Sequence, residues 1–254
     1  METNQLPKGG KKIIAIPGYH KIGDPPLGGW ETWCYVSGNV FEKQLNYLKN
    51  NDWQVISFET FLEGLANPAL FPDKSALITF DDGYRSNLEI AYPILKRFGY
   101  PAVMFVPTAF VGSYNSFDAD IGYEPIEAMC SWEELRELDK LGFSIQSHGV
   151  NHSHFSELTV EQLKQEVVVS KEMLEQELNK TIEAFSFPYG DNGLNQEKTD
   201  GILKDAGYTA AFLFNGDPID TLIPNPFRIQ RVAIGADTNL VKELSIIDLP
   251  VKKM

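Results

Sequence analysis

Cysteine is scarce in this sequence, and long apolar runs are absent. The 254 residues include 2 cysteines, Cys34 and Cys130, which lie far apart and lack the CxxC spacing of zinc clips. A disulfide framework is therefore excluded, and both residues are expected to be free thiols. No run approaches the roughly 20 apolar residues that cross a bilayer, and the first twenty residues lack the apolar core of a signal peptide. We expect either a cytoplasmic protein or an exported, cell-envelope protein whose signal has been removed.

Basic residues are also few. The chain has 22 lysines and arginines against 35 aspartates and glutamates, a formal net charge of −13. Sequence-independent nucleic-acid binding relies on basic side chains that neutralise phosphates, so nucleic acid is not an expected partner. An acidic surface accepts neutral or cationic partners more readily. No sequence feature indicates the oligomeric state.

Short apolar runs rich in branched residues alternate with longer segments of helical spacing, a pattern typical of βα units and a mostly parallel sheet. Candidate strands lie at 12–17, 54–58, 75–80, 102–106, 143–147, 183–187, 209–214 and 230–234. No repeat, low-complexity segment or linker interrupts the pattern. We therefore predict one barrel-like α/β domain over residues 12–244, with tails at 1–11 and 245–254.

Several helix boundaries are indicated by local signals. Two capping boxes predict helix starts, and two glycines predict left-handed helix ends. The capping boxes pair Ser131 with Glu134 and Thr159 with Gln162, and the glycines are Gly142 and Gly207. The segment 107–130 is long enough to be a functional loop.

Chemistry-bearing side chains follow the predicted strands. Ligands of parallel α/β proteins gather at the C-terminal ends of the strands. The residues found at those ends are His20, the pair Asp81 and Asp82, and the three histidines His148, His152 and His154. A Pro-Tyr-Gly segment follows strand 183–187. We expect these residues to lie at one end of the fold.

The combination of these residues indicates a metal site. His148 and His152, four residues apart, face the same way on a helical turn and can both reach one cation. One aspartate of the Asp81–Asp82 pair would complete a three-ligand set that leaves a position open for water, and the other would be free to act as a base. Taken alone, the Asp81–Asp82 pair could be part of a common turn, and the two histidines could simply lie on the surface.

Three ordered segments carry a family resemblance: ITFDDGYRSN, SIQSHGVNHSHFSEL and AFSFPYGDNG. They resemble the TFDDG, SHxxxH and PYG motifs of the polysaccharide deacetylases, carbohydrate esterase family 4. The similarity extends over most of the chain, from IPGYHKIGD to FRIQRVAI. It implies an α/β fold of polysaccharide deacetylase type, a distorted (β/α) barrel of about seven strands. Eight candidate strands would then be too many, or would include a hairpin.

The resemblance also implies roles for individual residues. Asp81 would be the catalytic base, and Asp82, His148 and His152 would hold a divalent metal. The backbone N–H of Tyr189 would stabilise the oxyanion. Zinc (Zn2+) is the first expectation for the metal, with Co2+, Ni2+ or Fe2+ as alternatives, because such a site accepts each of them according to supply.

Two parts of the usual family pattern are missing. Many members have an arginine just before the PYG segment and a late histidine that acts as general acid. Here Phe185, Ser186 and Phe187 precede Pro188, and no histidine follows His154. On that comparison alone the enzyme would lack its acid.

A permuted branch of the family, the poly-N-acetylglucosamine deacetylases, resembles the chain more closely, because the chain has a Tyr-His pair after the first strand and a late RxxR. By this resemblance His20 would be the general acid. Arg231, or as second choice Arg228, would pair with Asp81. The alternatives are a histidine bonded to a loop and a surface arginine. Position alone predicts that His154 is a rim or structural residue.

Substrate contacts are expected from Tyr189, Pro188 and the loop aromatic Trp33, which could stack on sugar faces or simply cover the surface. The resemblance implies a metal-dependent N-deacetylase that releases acetate from N-acetylated amino sugars, as in poly-N-acetylglucosamine, chitin-like or peptidoglycan glycans. Two alternatives remain open: hydrolysis of another linear or cyclic C–N amide bond, and a catalytically silent carbohydrate-binding domain.

Overall fold

The computed structural model describes residues 12–220 and 223–245. The strands are β1 (Ile13–Ala15), β2 (Pro17–Tyr19), β3 (Lys21–Ile22), β4 (Tyr35–Val36), β5 (Gln54–Val55), β6 (Lys74–Ala76), β7 (Thr79–Phe80), β8 (Ala102–Val106), β9 (Phe143–Ser147), β10 (Ala184–Ser186), β11 (Ala210–Phe212), β12 (Ile219–Asp220) and β13 (Val232–Ala233). The α-helices are α1 (Gly38–Asn50), α2 (Phe58–Ala66), α3 (Tyr92–Phe98), α4 (Ser116–Ala119), α5 (Trp132–Lys140), α6 (Val160–Leu178), α7 (Gln196–Asp205) and α8 (Leu240–Ser245). The predicted tails lie outside the described residues, except that residue 245 is the last of α8.

A curled seven-stranded parallel sheet forms the centre of the fold, in the order β11-β10-β9-β8-β7-β2-β13. All five residues of β8 are buried, as expected for a strand covered on both faces. The backbone of Ile229, just before β13, exchanges hydrogen bonds with Ala211 and Leu213 at the other edge of the sheet. The two edges therefore meet, and the predicted seven-stranded barrel is confirmed.

A second, four-stranded sheet accounts for the excess in the predicted strand count. Its order is β12-β1-β6-β5, so the predicted strand 54–58 contributes β5 to this sheet and no strand to the barrel. That prediction was also too long, because Ser57 caps α2 by accepting a hydrogen bond from the Thr60 N–H. The competing helix signal was therefore present in the sequence. The excess strand in the predicted count belongs to the second sheet and is not part of a hairpin.

The predicted helix boundaries are confirmed. Both capping boxes form, at the starts of α5 and α6. Gly142 and Gly207 have φ values of +101° and +84° after α5 and α7. These left-handed positions turn the chain back toward the following strand, because residues other than glycine are strained there.

A buried ion pair attaches the long loop between β8 and α5 to strand β3. Lys21 is 1% exposed, and its Nζ lies 2.6 Å from Glu124 Oε2. The rings of Tyr35 and Tyr84 lie 4.6 and 4.8 Å from this Nζ, and Thr32 donates a second hydrogen bond to Glu124. Since both charges are removed from water, each depends on the other for compensation.

Lys21→Met is expected to lower the free energy of unfolding by about 3–5 kcal/mol, because it leaves the Glu124 carboxylate buried without a cation. Urea denaturation measures the change. The double variant Lys21→Met/Glu124→Gln should recover most of it. Arg97→Met is the control, because the Arg97–Glu42 pair is largely exposed and should contribute no more than about 1 kcal/mol. An equal loss in Lys21→Met and Arg97→Met would contradict the prediction.

Candidate active site

The predicted site residues converge at the C-terminal ends of the barrel strands. His20 follows β2, the Asp81–Asp82 pair follows β7, and His148 follows β9. Pro188 and Tyr189 follow β10. Since neighbouring parallel strands end at the same edge, side chains that are distant in sequence come together there.

A buried triad of Asp82, His148 and His152 could bind a metal ion. Asp82 Oδ1 lies 3.4 Å from His148 Nε2 and 3.1 Å from His152 Nε2. One ligand atom from each residue falls within 4.8 Å of the others. Neither approach has the geometry of a hydrogen bond, so within the described residues the buried Asp82 Oδ1 has no hydrogen-bond partner. One carboxylate oxygen and two imidazole nitrogens around a common point are a donor set that fits zinc and similar divalent ions.

The surroundings orient His148 toward this point. The carbonyl of Ser186 lies 2.7 Å from His148 Nδ1, which places the proton on Nδ1 and leaves Nε2 as the ligand atom. Burial lowers the pKa of His148, but Asp81 and Asp82 raise it by more, so the net shift is upward. The negative charge that favours a proton on His148 also favours a metal cation.

The two histidines do not share a helical turn, which corrects the predicted geometry. They lie in an irregular loop after β9, and His152 has a left-handed φ of +54°. Asp82 and Tyr189 are also left-handed, at +72° and +57°. Strained backbone of this kind persists only where the surrounding structure enforces it, and it clusters at functional sites.

Asp81 forms a buried bidentate ion pair with Arg231. Arg231 is 0% exposed, and its Nη1 and Nη2 donate to Asp81 Oδ1 at 2.7 Å and Oδ2 at 2.6 Å. Further hydrogen bonds run to Thr79 Oγ1, the Leu213 carbonyl and Ser186 Oγ, so the guanidinium is held in one orientation. Burial raises the pKa of Asp81, but Arg231 and His148 lower it below its ordinary value. Asp81 is therefore an ionised carboxylate beside the triad.

The other candidate arginine, Arg228, lies elsewhere. It pairs with Asp200 on α7, with 2.7 Å between Nη2 and Oδ2. The geometry thus associates Arg231, and not Arg228, with Asp81. Arg231 reaches Asp81 from the position just before β13, whereas the position just before Pro188 is the buried Phe187.

His20 follows β2, the strand that pairs with β7 and its aspartate pair. Its Nδ1 is buried and has no hydrogen-bond partner in the described part of the chain, although the residue as a whole is partly exposed. The Phe214 ring packs edge-on against it at 5.0 Å, and Asn87 donates to its carbonyl. Enclosure lowers the pKa of His20, while Asp82 and Asp81 oppose the shift.

Aromatic side chains line the rim. Tyr189 is 42% exposed, and its hydroxyl donates to Asp118 Oδ1 at 3.1 Å. The His154 ring stacks on Tyr189 at 3.9 Å, outside the triad, so His154 is a rim residue although no helix sets its direction. Trp33 is 39% exposed and lies 6.0 Å from the Phe214 ring that covers His20.

Two residues near the site were missed at the level of sequence. Ser186 contacts both His148 and Arg231, and Asp118 bonds to Tyr189 from the long loop. The sequence does contain a signal for Ser186: it is a serine within the apolar strand AFSF, and a polar residue buried in a barrel strand needs a hydrogen-bond partner. Asp118 carries no comparable signal, because its neighbours are determined by the path of the loop.

Within the described residues, 12–220 and 223–245, no helix is long and apolar enough to cross a membrane.

Comparison with known proteins agrees with this geometry. The sequence profile of the polysaccharide deacetylases matches residues 70–211, more than half of the chain. YxkH of Bacillus subtilis, a protein named for this family, is 28% identical over 155 residues, which are 61% of this chain and 51% of YxkH. The poly-beta-1,6-N-acetyl-D-glucosamine N-deacetylase of Staphylococcus aureus is 29% identical over 211 residues, 80% of this chain and 68% of that protein. This chain therefore spans about half the length of one relative and two thirds of the other.

Solved structures show the same fold. The Streptococcus pyogenes deacetylase PplD superposes with a TM-score of 0.77 at 23% identity, covering 92% of this chain and 99% of that one. IcaB from Ammonifex degensii gives 0.74 at 22% identity, covering 90% and 94%. Together with the profile match across the β7, β9 and β10 strand ends, these findings show that the chain belongs to the polysaccharide deacetylase family, whose members are hydrolases of carbon–nitrogen bonds other than peptide bonds.

Proposed function

We propose that this protein is a metal-dependent N-deacetylase that releases acetate from N-acetylated amino sugars. The observation that carries the proposal is the ionised Asp81, held by Arg231 beside a separate Asp-His-His triad. Poly-β-1,6-N-acetylglucosamine is the first candidate substrate, because the Staphylococcus aureus relative that covers most of this chain is named for that polymer.

Asp82, His148 and His152 would hold the metal, with zinc as the first choice and cobalt, nickel or iron as alternatives. When bound, such an ion supplies Lewis acidity for the acetamide carbonyl and lowers the pKa of water. The convergence of three ligand atoms and the unsatisfied Asp82 Oδ1 support this assignment.

Asp81 would act as the general base that takes a proton from the attacking water. Its lowered pKa keeps it ionised. Arg231 would act as a positioning residue, since two parallel hydrogen bonds restrict the carboxylate to one orientation. A base held in this way can meet the attacking water without first reorienting.

His20 would give a proton to the departing nitrogen. Burial lowers the pKa of His20 by more than the Asp82 and Asp81 carboxylates raise it, so the net shift is downward. Once His20 takes up a proton, these two carboxylates would stabilise the imidazolium that acts as the general acid. The backbone N–H of Tyr189 would stabilise the oxyanion of the tetrahedral intermediate. Pro188, Tyr189 and Trp33 would contact the sugar.

The function is tested by acetate release from oligomers of β-1,6-linked N-acetylglucosamine. The zinc-loaded protein should hydrolyse them, a chelator should abolish the activity, and added zinc should restore it. Chitin oligomers are the matched control for linkage, and cyclic amides, assayed for released ammonia, are the control for the bond hydrolysed. One equivalent of bound zinc without turnover on any acetylated glycan would contradict deacetylation and favour a carbohydrate-binding role.

A further inference from the structure

The loop that separates the two histidines of the triad is held by a single buried carboxylate. Glu166, in the middle of α6, is 4% exposed. Its Oε2 accepts the backbone N–H groups of Val150 and Asn151 at 2.7 and 2.9 Å, and its Oε1 accepts the Asn151 side-chain amide at 2.7 Å. These contacts fall on the residues between His148 and His152.

The opposite edge of the loop is held as well. The carbonyls of Gly149 and Val150 accept hydrogen bonds from the backbone N–H groups of Thr108 and Ala109, at 3.1 and 3.0 Å. The loop therefore lies between the segment after β8, which binds its carbonyls, and Glu166, which binds its amides.

The approach of Glu166 depends on a glycine. A Cβ atom at Gly149 would lie 2.8 Å from Glu166 Oε2, and Gly149 also has a φ of +80°. Both the space and the backbone conformation therefore require glycine in the segment SHGVNH.

Charge pairing does not compensate the buried Glu166 carboxylate, because no ion pair joins it to a described lysine or arginine. A buried carboxylate without a cation is costly unless hydrogen bonds compensate it. Here the compensating donors all belong to the loop that carries the histidines, so the charge is stabilised only in this loop conformation.

We infer that Glu166 is a positioning residue of the metal site: its carboxylate fixes the backbone between His148 and His152 so that both Nε2 atoms face Asp82 Oδ1. The inference rests on the proposed function, in which these three residues hold the metal. Without Glu166, the left-handed His152 loses part of the support that offsets its strain, and the loop can relax away from the site. Groups behind metal ligands typically change metal affinity by about 10–100-fold when they are removed.

The test uses zinc affinity, measured by competition with a chromophoric chelator. Glu166→Ala should weaken zinc binding by about 10–100-fold, and Glu166→Gln should weaken it less, because one oxygen remains to accept the Val150 and Asn151 amides. Glu172→Gln is the control, since it removes the same charge from an exposed position on the same helix. It should leave the zinc affinity unchanged.

The visible absorption spectrum of the cobalt-loaded protein provides a second readout, which a purely structural role would not change. Glu166→Ala should alter the ligand-field bands, because His152 would no longer be held in one orientation toward the metal. Should Glu166→Ala fail to fold, Glu166→Gln and Asn151→Ala remain as graded tests.

Wild-type zinc affinity and an unchanged cobalt spectrum in the Glu166 variants would overturn the inference, even if their metal-free forms unfold at lower temperature. A wild-type protein that binds no zinc would instead overturn the proposed function together with the inference. The two failures are therefore distinguishable.

Discussion

Asp81→Asn is expected to lower the turnover number for acetate release by about 10²–10⁴-fold, the usual contribution of a positioned general base. The amide cannot accept the proton of the attacking water, although it has nearly the same shape. Zinc content should remain at one equivalent, because the proposed ligands are Asp82 and the two histidines. Steady-state kinetics and elemental analysis on the same preparation check both parts.

The same variant should also be less stable, because Arg231 would stay buried beside a neutral amide. Removing one partner of a buried ion pair lowers the free energy of unfolding by about 3–5 kcal/mol. The kinetics should therefore be measured at a temperature at which circular dichroism shows that the variant is folded. Asp200→Asn is the matched control, since it removes the carboxylate that pairs with the other arginine of the RxxR segment. It should leave turnover unchanged. Hydrolysis at the wild-type rate by Asp81→Asn, or loss of zinc from it, would exclude Asp81 as the base.

His148→Ala is expected to abolish both zinc binding and hydrolysis. Two remaining ligands cannot complete the three-residue donor set of a catalytic zinc site. Thermal unfolding provides the measurement. Zinc at about 1,000 times the dissociation constant should stabilise the wild-type protein by about 4.1 kcal/mol, and the variant should show no shift.

His154→Ala is the control for this experiment. Its imidazole stacks on Tyr189 at the rim and lies outside the triad, so its removal should leave the zinc-dependent shift intact. A His148→Ala protein that retains stoichiometric zinc would contradict the assignment of the site. So would a His154→Ala protein that loses it.

The strand ends made the candidate site predictable. Because the barrel strands run parallel, side chains that follow β2, β7, β9 and β10 must meet at one edge, and a reader of the sequence can place His20, Asp81 and His148 there without knowing the coordinates. The geometry of the histidine pair was not predictable in the same way. A spacing of four suits a helical turn, but here Gly149 and the buried Glu166 impose an irregular loop that brings the two rings together.

The strand count illustrates the limits of periodicity. The segment 54–58 is apolar and branched like the barrel strands, yet it joins a separate sheet through β6. An apolar run indicates that a segment is buried and extended, but it does not say which neighbour will pair with it. The Ser57 cap, a local signal, would have shortened the prediction correctly.

Helix starts and ends and most strand positions could be read from the chain, because they depend on contacts among residues a few positions apart. The grouping of metal-ligand types at strand ends could be read because parallel strands end at one edge. The partner of Asp81 could not be read from such local contacts; only the family resemblance named Arg231, with Arg228 as second choice. Arg231 stands 150 residues away and meets Asp81 because β13 pairs with β2, which in turn pairs with β7. Lys21 meets Glu124 across 103 residues because the long loop after β8 passes beside β3. Contacts between residues so far apart in the sequence depend on how the strands, helices and loops pack together, and local sequence patterns do not determine that arrangement.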